Sequence, residues 1–479
     1  MRSGVVTLST LDELEARILR DLSLTDYPAR SWVPPRQYQN QPVLDVLIVG
    51  AGQGGLAVTF HLLRERVSNI MLIDQRKEGE EGPWTNFARM LTLRTPKYLT
   101  GPDLGIPSLT PRAWYEAKHG ADAWDSLDKI PRETWHEYIG WYRSVLKLPV
   151  RNEVRLTRIV PVEDLFQVTL KPTNGGAEEI HYARKVVLAT GTEGSGRWSI
   201  PPLIEEKLPR DRYAHTAQRI DFNDFAGKKI GVLGAGASAF DNAATALEHG
   251  AAEVALFARR KAIPAINPFR WMEFTGFLHH FADLDDAQRW EAMVKVYSFN
   301  QPPPRDTLDR VRRFENFHLH LASPWVDTGI EGDKVWAKTP DHRQEFDFVL
   351  VCTGTEVDLA RRPELEGFSQ HIALWRDRYT PPPELEQAKL MAHPYLGAAF
   401  QFIEKEPGKA PFLKNLHNFT FGATPSMGLS GASISGMKFG VPRLVQGITR
   451  DLFRADAAIH QASLAAYDVR ELADDPWAG

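Results

Sequence analysis

The sequence is poor in cysteine, in long apolar runs and in net charge. Its single cysteine, Cys352, excludes an intramolecular disulfide, a cluster of thiolate metal ligands and the paired-cysteine redox centre of disulfide reductases. No stretch approaches the ~18 apolar residues of a membrane span, and the first residues lack the basic segment and apolar run of a signal peptide. With 57 basic and 61 acidic residues, the net charge of -4 gives no reason to expect a nucleic acid or an anionic membrane as partner. We therefore expect a cytoplasmic protein that binds neither of these and has no metal site.

A first βαβ unit is predicted from Val43, where a buried strand leads into a glycine turn and then a helix that reaches about Arg66. A second strand, Ile70 to Ile73, completes the unit. Asp74 and Gln75 follow this strand, at a place where a carboxylate accepts hydrogen bonds from ribose hydroxyls. We expect the unit to bind a dinucleotide, the alternative being a tight turn with a structural role alone. The glycines that allow a tight turn, close approach to a pyrophosphate and close packing of helix on strand are Gly50, Gly52, Gly54 and Gly55.

A second βαβ unit begins at Lys229 and ends in the strand Glu253 to Phe257. Two arginines stand just after this strand, close to the position that an acid holds in the first unit. Guanidinium groups suit a 2′-phosphate and leave no acceptor for a bare ribose hydroxyl, although they could also form a solvated basic face. The first unit therefore suits FAD and the second suits NADPH. The residues expected to bind NADPH are Gly234, Gly236, Ser238, Ala239, Arg259 and Arg260.

Two buried strands that end in Thr-Gly flank the second unit. One ends at Thr190 and Gly191 and the other at Thr353 and Gly354, and we expect all four residues to contact the cofactors. The chain has 479 residues, whereas single cores rarely grow beyond about 250–300. The simplest fold is α/β, with two Rossmann-like dinucleotide-binding domains and the NADPH domain inserted into a discontinuous FAD domain. The predicted parts are an N-terminal helical extension over 1–42, the FAD domain over 43–204 and 346–479, and the NADPH domain over 205–345.

From about Val43 to Leu452 the sequence resembles the two-dinucleotide-domain flavin monooxygenases. This group holds the flavin-containing, the Baeyer–Villiger and the N-hydroxylating monooxygenases. The resemblance implies FAD and NADPH as cofactors and molecular oxygen as a reactant. Its carriers are the first glycine turn, Gly82-Pro-Trp84, Ala189-Thr-Gly191, Gly234-Ala-Gly-Ala-Ser-Ala239 and the stretch from Phe257 to Pro264.

The resemblance also implies where the flavin would react. In the family the stretch containing Trp84 runs along the flavin ring, and the segment after it lies near the reacting edge, where an Asn or Asp often acts. This chain offers Arg94, Thr95 and Lys97 there instead. We expect these residues to act in oxygen transfer, because a cation near a flavin peroxide favours its anionic form and holds the nicotinamide or an acidic substrate. A structural loop under the flavin is the alternative.

The linker before the second unit keeps only one residue of the family's signature, Phe-x-Gly-x-x-x-His followed by an aromatic residue. That residue is His215, for which a functional linker role and a local structural role both stay open. The loss argues against a standard Baeyer–Villiger enzyme and leaves the N-hydroxylating branch, which resembles this chain in lacking the signature. Later in the chain, small residues around Ser430 precede a helix whose N-terminus would stabilise reduced flavin at its pyrimidine edge.

The predicted function is that of an FAD- and NADPH-dependent monooxygenase. NADPH would reduce FAD, the reduced flavin would form a C4a-(hydro)peroxide with oxygen, and one oxygen atom would pass to a small-molecule substrate, at nitrogen or sulfur. Three alternatives remain open: a Baeyer–Villiger monooxygenase, an NADPH-dependent flavin reductase or oxidase, and a nucleotide-binding protein without turnover. The sequence identifies neither the substrate nor the oligomeric state.

Overall fold

Two sheets form the centres of two α/β units in the computed structural model. The structure describes residues 10–25, 27–28, 31–99, 101–431 and 433–471, and for Ser430 it describes the backbone alone. The second unit lies within the sequence of the first, because strands of the first sheet come from both sides of it. This architecture confirms the predicted α/β fold with two dinucleotide-binding domains. The contact expected from the Ser430 side chain lies outside the described residues.

The first sheet is built around the strand Gln41–Val49, whose second half is almost wholly buried. A run of apolar residues suits this position, since helices and further strands cover both faces of a parallel sheet. The strand pairs in parallel with Ile70–Ile73 and with Glu179–Gly191. The other strands of this sheet are Arg36–Tyr38, Val150–Arg151, Val154–Val162, Leu165–Pro172 and Leu416–Thr420.

The second sheet is parallel throughout its described strands. The central strand, Lys229–Leu233, lies between Glu253–Phe257 and Phe348–Val351. The outer strands are Phe317–His320 and Tyr213–His215. A separate antiparallel meander comes just before Phe348, and its strands are Asp327–Glu331, Lys334–Lys338 and Arg343–Phe346.

Two predicted domain boundaries are wrong. The strand Phe348–Val351 pairs with strands of the second sheet on both sides, so the chain returns to the first unit after residue 351 and not at 346. The strand Arg36–Tyr38 forms a hairpin with Gln41–Val49, so the first sheet begins before residue 43. Where the chain leaves and re-enters the first unit, Gly196–Trp198 and Thr355–Val357 pair antiparallel and tie the two crossings together.

The predicted N-terminal helix spans Leu11–Ser23 and packs on the first unit. Its apolar face buries Leu14, Ile18 and Leu22 in the same core as the first sheet. The indole of Trp141 donates a hydrogen bond to the carboxylate of Glu15 at 2.9 Å. The helix is therefore part of the first unit and not a separate extension.

Helices pack against the two sheets, and those of the segment 268–299 form a further buried cluster with Trp375 and Leu390. No helix in the described part of the chain is long and apolar enough to cross a membrane. The helices after the first are Gln53–Arg64, Pro111–His119, Ala123–Ser126, Arg132–Val145, Pro202–Glu205, Ala237–Glu248, Pro268–Met272, Thr275–His280, Asp286–Phe299, Arg305–Arg312, Trp375–Arg378, Ala388–Met391, Thr424–Met427, Ile434–Ala455 and Ala457–Ala465.

Candidate active site

The first glycine turn joins the strand Gln41–Val49 to the helix Gln53–Arg64. Gly50 has φ +102°, a left-handed conformation that favours glycine. A Cβ on Gly55 would lie 1.8 Å from the carbonyl oxygen of Gly50, so the helix packs on the strand only because this residue has no side chain. Gly52 caps the helix without a side-chain hydrogen bond, which leaves the first N–H groups of the helix free to bind an anion.

Asp74 holds this turn in place from the end of the neighbouring strand. Its Oδ2 accepts a hydrogen bond from the N–H of Ala51 at 2.8 Å, and its Oδ1 accepts one from the N–H of Arg76 at 2.8 Å. Burial raises the pKa of Asp74, whereas these two hydrogen bonds act in the opposite direction. Next to it, the Oε1 of Gln75 accepts a hydrogen bond from Arg155 Nε at 3.0 Å. Each carboxylate oxygen of Asp74 keeps a lone pair that can accept a hydrogen bond from a ribose hydroxyl.

A first cavity of about 490 Å³ opens over this turn. Gly55 does not line it, because that residue faces the strand. The hydroxyl of Thr190 is buried without a hydrogen-bond partner among the described residues. A cavity of this size, floored by backbone N–H groups, is suited to a dinucleotide. The residues predicted to bind FAD that line the cavity are Gly50, Gly52, Gly54, Asp74, Gln75, Trp84, Thr190 and Gly191.

A second cavity of about 520 Å³ adjoins the first and lies between the two units. Both cavities have Trp84 and Phe87 in their walls, so the two spaces meet at these aromatic side chains. The helices of the segment 267–301 close the far side through Asn267 and Phe269. Four further residues predicted from the sequence line this cavity with Trp84 and Thr95, namely Arg94, His215, Ser238 and Gly354.

Arg94 connects the loop after Trp84 to the second unit. Its Nη2 donates to the Oδ2 of Asp241 at 2.9 Å, and the side chain of Asp241 is only 3% exposed. Thr307 donates its hydroxyl to the other carboxylate oxygen at 2.9 Å, and Arg310 lies 3.6 Å from it. Since Asp241 lies on the helix that follows the second glycine turn, this network fixes the flavin-edge loop against the nucleotide-binding helix.

Lys97 does not line the second cavity. Its ammonium group donates to the carbonyl oxygens of Trp124 at 2.7 Å and Leu127 at 2.5 Å. It also lies 5.6 Å from the centre of the Trp124 ring. These contacts hold the ammonium group at the 124–127 turn, and they favour the structural alternative for Lys97 over a role at the flavin edge.

His215 lines the second cavity, but both of its ring nitrogens are engaged. Nδ1 accepts a hydrogen bond from the N–H of Ala217 at 3.2 Å, and Nε2 lies 3.0 Å from the carbonyl oxygen of Gly354, to which it donates. The ring stacks on Trp198 with centroids 5.2 Å apart. Burial lowers the pKa of His215 to about 4, so the ring is neutral at pH 7. This geometry favours the local structural role of His215 over a functional role in the linker.

The second glycine turn has the same geometry as the first. Gly234 has φ +124°, and a Cβ there would lie 2.3 Å from the carbonyl oxygen of Cys352. Gly236 caps the helix Ala237–Glu248, again without a side-chain hydrogen bond. Arg259 is exposed at the end of the neighbouring strand. The predicted NADPH residues that line neither cavity are Gly234, Gly236, Ala239, Arg259 and Arg260, and Thr353, predicted as a cofactor contact, lines neither as well.

The structure adds two cavity residues that the sequence motifs did not indicate, Asn242 and Glu273. The Oδ1 of Asn242 and the Oε2 of Glu273 are buried, and neither has a hydrogen-bond partner in the described ranges. Asn242 lies one turn after Ser238, to whose carbonyl oxygen it donates at 2.8 Å. Its place on the helix after a dinucleotide fingerprint could have indicated it. Glu273 lies in a segment that carries no motif, so no local feature of the sequence could have indicated that it lines the cavity.

Two family models match parts of this chain. The model described as FAD-NAD(P)-binding matches residues 47–193, which contain the first glycine turn and Asp74. The model described as L-lysine 6-monooxygenase/L-ornithine 5-monooxygenase matches residues 125–300. The second match includes the second glycine turn and most of the segment that closes the second cavity.

Known proteins match the chain along most of its length. The FAD-dependent urate hydroxylase of Xanthomonas campestris is 44% identical over 469 residues, which cover 96% of this chain and 97% of that protein. Among solved structures, the ornithine hydroxylase of Pseudomonas aeruginosa has a TM-score of 0.69 at 15% identity, with 86% of this chain and 100% of that chain covered. The cadaverine monooxygenase of Erwinia amylovora has a TM-score of 0.65 at 14% identity, with 86% and 95% covered.

These two solved structures share the fold, and the X. campestris enzyme is close enough in sequence to establish the family. The two glycine turns, the buried acid after the first and the arginines after the second agree with it. The chain therefore belongs to the two-dinucleotide-domain flavoprotein monooxygenases, oxidoreductases that use FAD and a nicotinamide cofactor.

Proposed function

We propose that this chain is an NADPH-dependent flavoprotein hydroxylase whose substrate is urate or a closely related oxidised purine. The observation that carries the proposal is the 44% identity to a urate hydroxylase across 96% of the chain. A purine is then the oxygen acceptor, a class of substrate that the sequence alone did not indicate. The residues in the wall of the second cavity support an oxidised purine as the substrate.

The residues around the first cavity fit FAD. The cradle from Gly50 to Gly55 would hold the pyrophosphate, because the first N–H groups of the helix Gln53–Arg64 are free to bind an anion. The absence of a side chain on Gly55 lets this helix pack on the strand. Asp74 would accept hydrogen bonds from the ribose hydroxyls. Trp84 would lie beside the flavin ring, where the two cavities meet. Bound FAD supplies the acceptance of hydride from NADPH and the activation of oxygen.

The second unit supplies the site for NADPH. Its glycine turn would hold the pyrophosphate, and Arg259 and Arg260 would bind the 2′-phosphate. Ser238 and Asn242 lie in the wall of the second cavity, so the path from this turn leads to the space beside Trp84. The hydrogen bond from Arg94 to Asp241 connects the flavin-edge loop to the nucleotide-binding helix.

The second cavity also has the chemistry of a site for an oxidised purine. Such a ring is flat, carries N–H and C=O groups around its edge, and is anionic at neutral pH in the case of urate. Trp84, Phe87 and Phe269 offer flat apolar surface against which the ring can stack. Arg94 is paired with Asp241 through its Nη2, and its Nε–H has no acceptor in the described ranges. Closing this space from water would prevent loss of activated oxygen before transfer.

The test is turnover of the purified, FAD-loaded chain with NADPH, oxygen and urate. We expect NADPH oxidation to depend on urate, with one urate consumed for each NADPH. Xanthine, which differs from urate by one oxygen atom, serves as the matched control and should be consumed far more slowly. If the rate of NADPH oxidation is independent of urate and all electrons pass to oxygen to form hydrogen peroxide, the result would support a reductase or oxidase and contradict the proposal.

N-hydroxylation of a primary amine is the second candidate. The match of residues 125–300 to the lysine and ornithine monooxygenase model favours it. L-Ornithine and L-lysine therefore belong in the same assay. Formation of a hydroxylamine from either amino acid, with no urate consumed, would place the chain with the N-hydroxylating enzymes instead.

A further inference from the structure

We propose that Glu273 and Arg94 together recognise a neighbouring N–H and C=O pair on the edge of the substrate, and that Glu273 sets specificity. The inference rests on the function proposed above and concerns which groups of an oxidised purine form hydrogen bonds with residues of the second cavity. Glu273 accepts a hydrogen bond from a ring N–H, and Arg94 donates one to the adjacent carbonyl.

Glu273 lies in the wall of the second cavity, at the end of a short helix. It caps the C-terminus of the helix Pro268–Met272, and Met272 beside it is fully buried, which fixes the helix against the rest of the protein. The side chain of Glu273 is 9% exposed, and its Oε2 has no hydrogen-bond partner in the part of the chain that the structure describes. A buried carboxylate oxygen without a donor is costly. A ligand that donates an N–H would remove this cost.

Arg270 connects Glu273 to Arg94. Its Nη1 lies 3.6 Å from the Oε2 of Glu273, and its Nη2 donates to the carbonyl oxygen of Arg94 at 3.5 Å. Burial raises the pKa of Glu273, and the positive charge of Arg270 acts in the opposite direction. Both Arg94 and Glu273 therefore belong to one stretch of the cavity wall.

Arg94 supplies the complementary donor. Asp241 fixes its Nη2, whereas its Nε is buried with no acceptor in the described ranges. One acceptor and one donor in the same wall match a ring edge on which an N–H stands beside a C=O. Urate has several such edges. An aliphatic amine has an N–H donor but no neighbouring carbonyl, so it would satisfy Glu273 and leave Arg94 unsatisfied.

The experiment combines variants of the protein with methylated substrates. Glu273→Ala, Glu273→Gln and the wild type are loaded with FAD and titrated by calorimetry with urate and with its four single N-methyl derivatives. Glu291→Ala is the matched control, because Glu291 is exposed on the helix Asp286–Phe299 of the same segment. The FAD content of each variant shows that it has folded.

For one of the methylurates, we expect the ratio of its dissociation constant to that of urate to be about 10 to 100 in the wild type and in Glu291→Ala. This ratio corresponds to the loss of one hydrogen bond to a charged group. In Glu273→Ala the same ratio falls to about threefold or less, because urate has lost that bond as well. Should both Glu273 variants keep the wild-type ratio, the inference is wrong while the proposed function stands. If the wild type binds no urate and shows no urate-dependent NADPH oxidation, the proposed function fails, and this inference fails with it.

Discussion

Replacing Arg259 by alanine should weaken NADPH binding and leave NADH binding nearly unchanged. Arg259 is exposed at the end of the strand Glu253–Phe257 and has no ion pair in the described part of the chain, so its loss should cost little folding stability. A hydrogen bond from a guanidinium to a 2′-phosphate is worth roughly 1.5–3 kcal/mol. At about 1.4 kcal/mol per factor of ten, the dissociation constant for NADPH should rise about 10- to 100-fold.

The assay is anaerobic reduction of the bound flavin in a rapid-mixing instrument, with NADPH and NADH titrated separately. The dependence of the reduction rate on nucleotide concentration gives the dissociation constant for each. Arg312→Ala is the control, since this arginine also lies exposed in the second unit, with its side chain 68% exposed. Equal weakening of both nucleotides by Arg259→Ala would refute a phosphate site at the end of this strand.

Three further predictions follow from buried contacts. Gly55→Ala places a Cβ 1.8 Å from the carbonyl oxygen of Gly50, so the flavin-to-protein absorbance ratio should fall; full FAD content would contradict the cradle. Asp456→Ala removes a carboxylate that pairs with buried Arg184 at 2.8 and 2.9 Å and should cost about 3–5 kcal/mol in urea unfolding; unchanged stability would show that the pair is dispensable. Burial lowers the pKa of His393 to about 4 and that of His417 to about 3. The contribution of these two neutral histidines to folding stability is complete above the ordinary pKa of 6.5 and is lost as the pH falls toward 4. Tm should therefore drop over that pH range, and a Tm that does not change with pH would contradict this prediction.

The sequence predicted the two nucleotide-binding units almost to the residue. The strands Ile70–Ile73 and Glu253–Phe257 lie where apolar runs and glycine turns placed them. These signals are local, because a buried parallel strand and the turn after it need particular residues at fixed positions. The boundary at 346 was wrong because strand pairing is not local: Phe348–Val351 looks like a strand of either sheet until its neighbours are known.

The sequence could not predict the direction of side chains in irregular segments, and this limited the prediction of the candidate site. Lys97 follows Trp84 in the expected order, yet the carbonyl oxygens at Trp124 and Leu127, some thirty residues later, decide where its ammonium group lies. Arg94, three residues earlier, does line the cavity, and Asp241 on the other unit fixes it. Glu273 could not be found from the sequence, since it reaches the cavity through the packing of a short helix.

The proposed reaction transfers one atom of molecular oxygen to an oxidised purine and oxidises one NADPH. Its most direct test is turnover of urate under 18O2, with mass spectrometry of the first product. We expect one 18O atom in the product for each NADPH oxidised. A product that carries oxygen from water alone, or 18O found only in hydrogen peroxide, would contradict it.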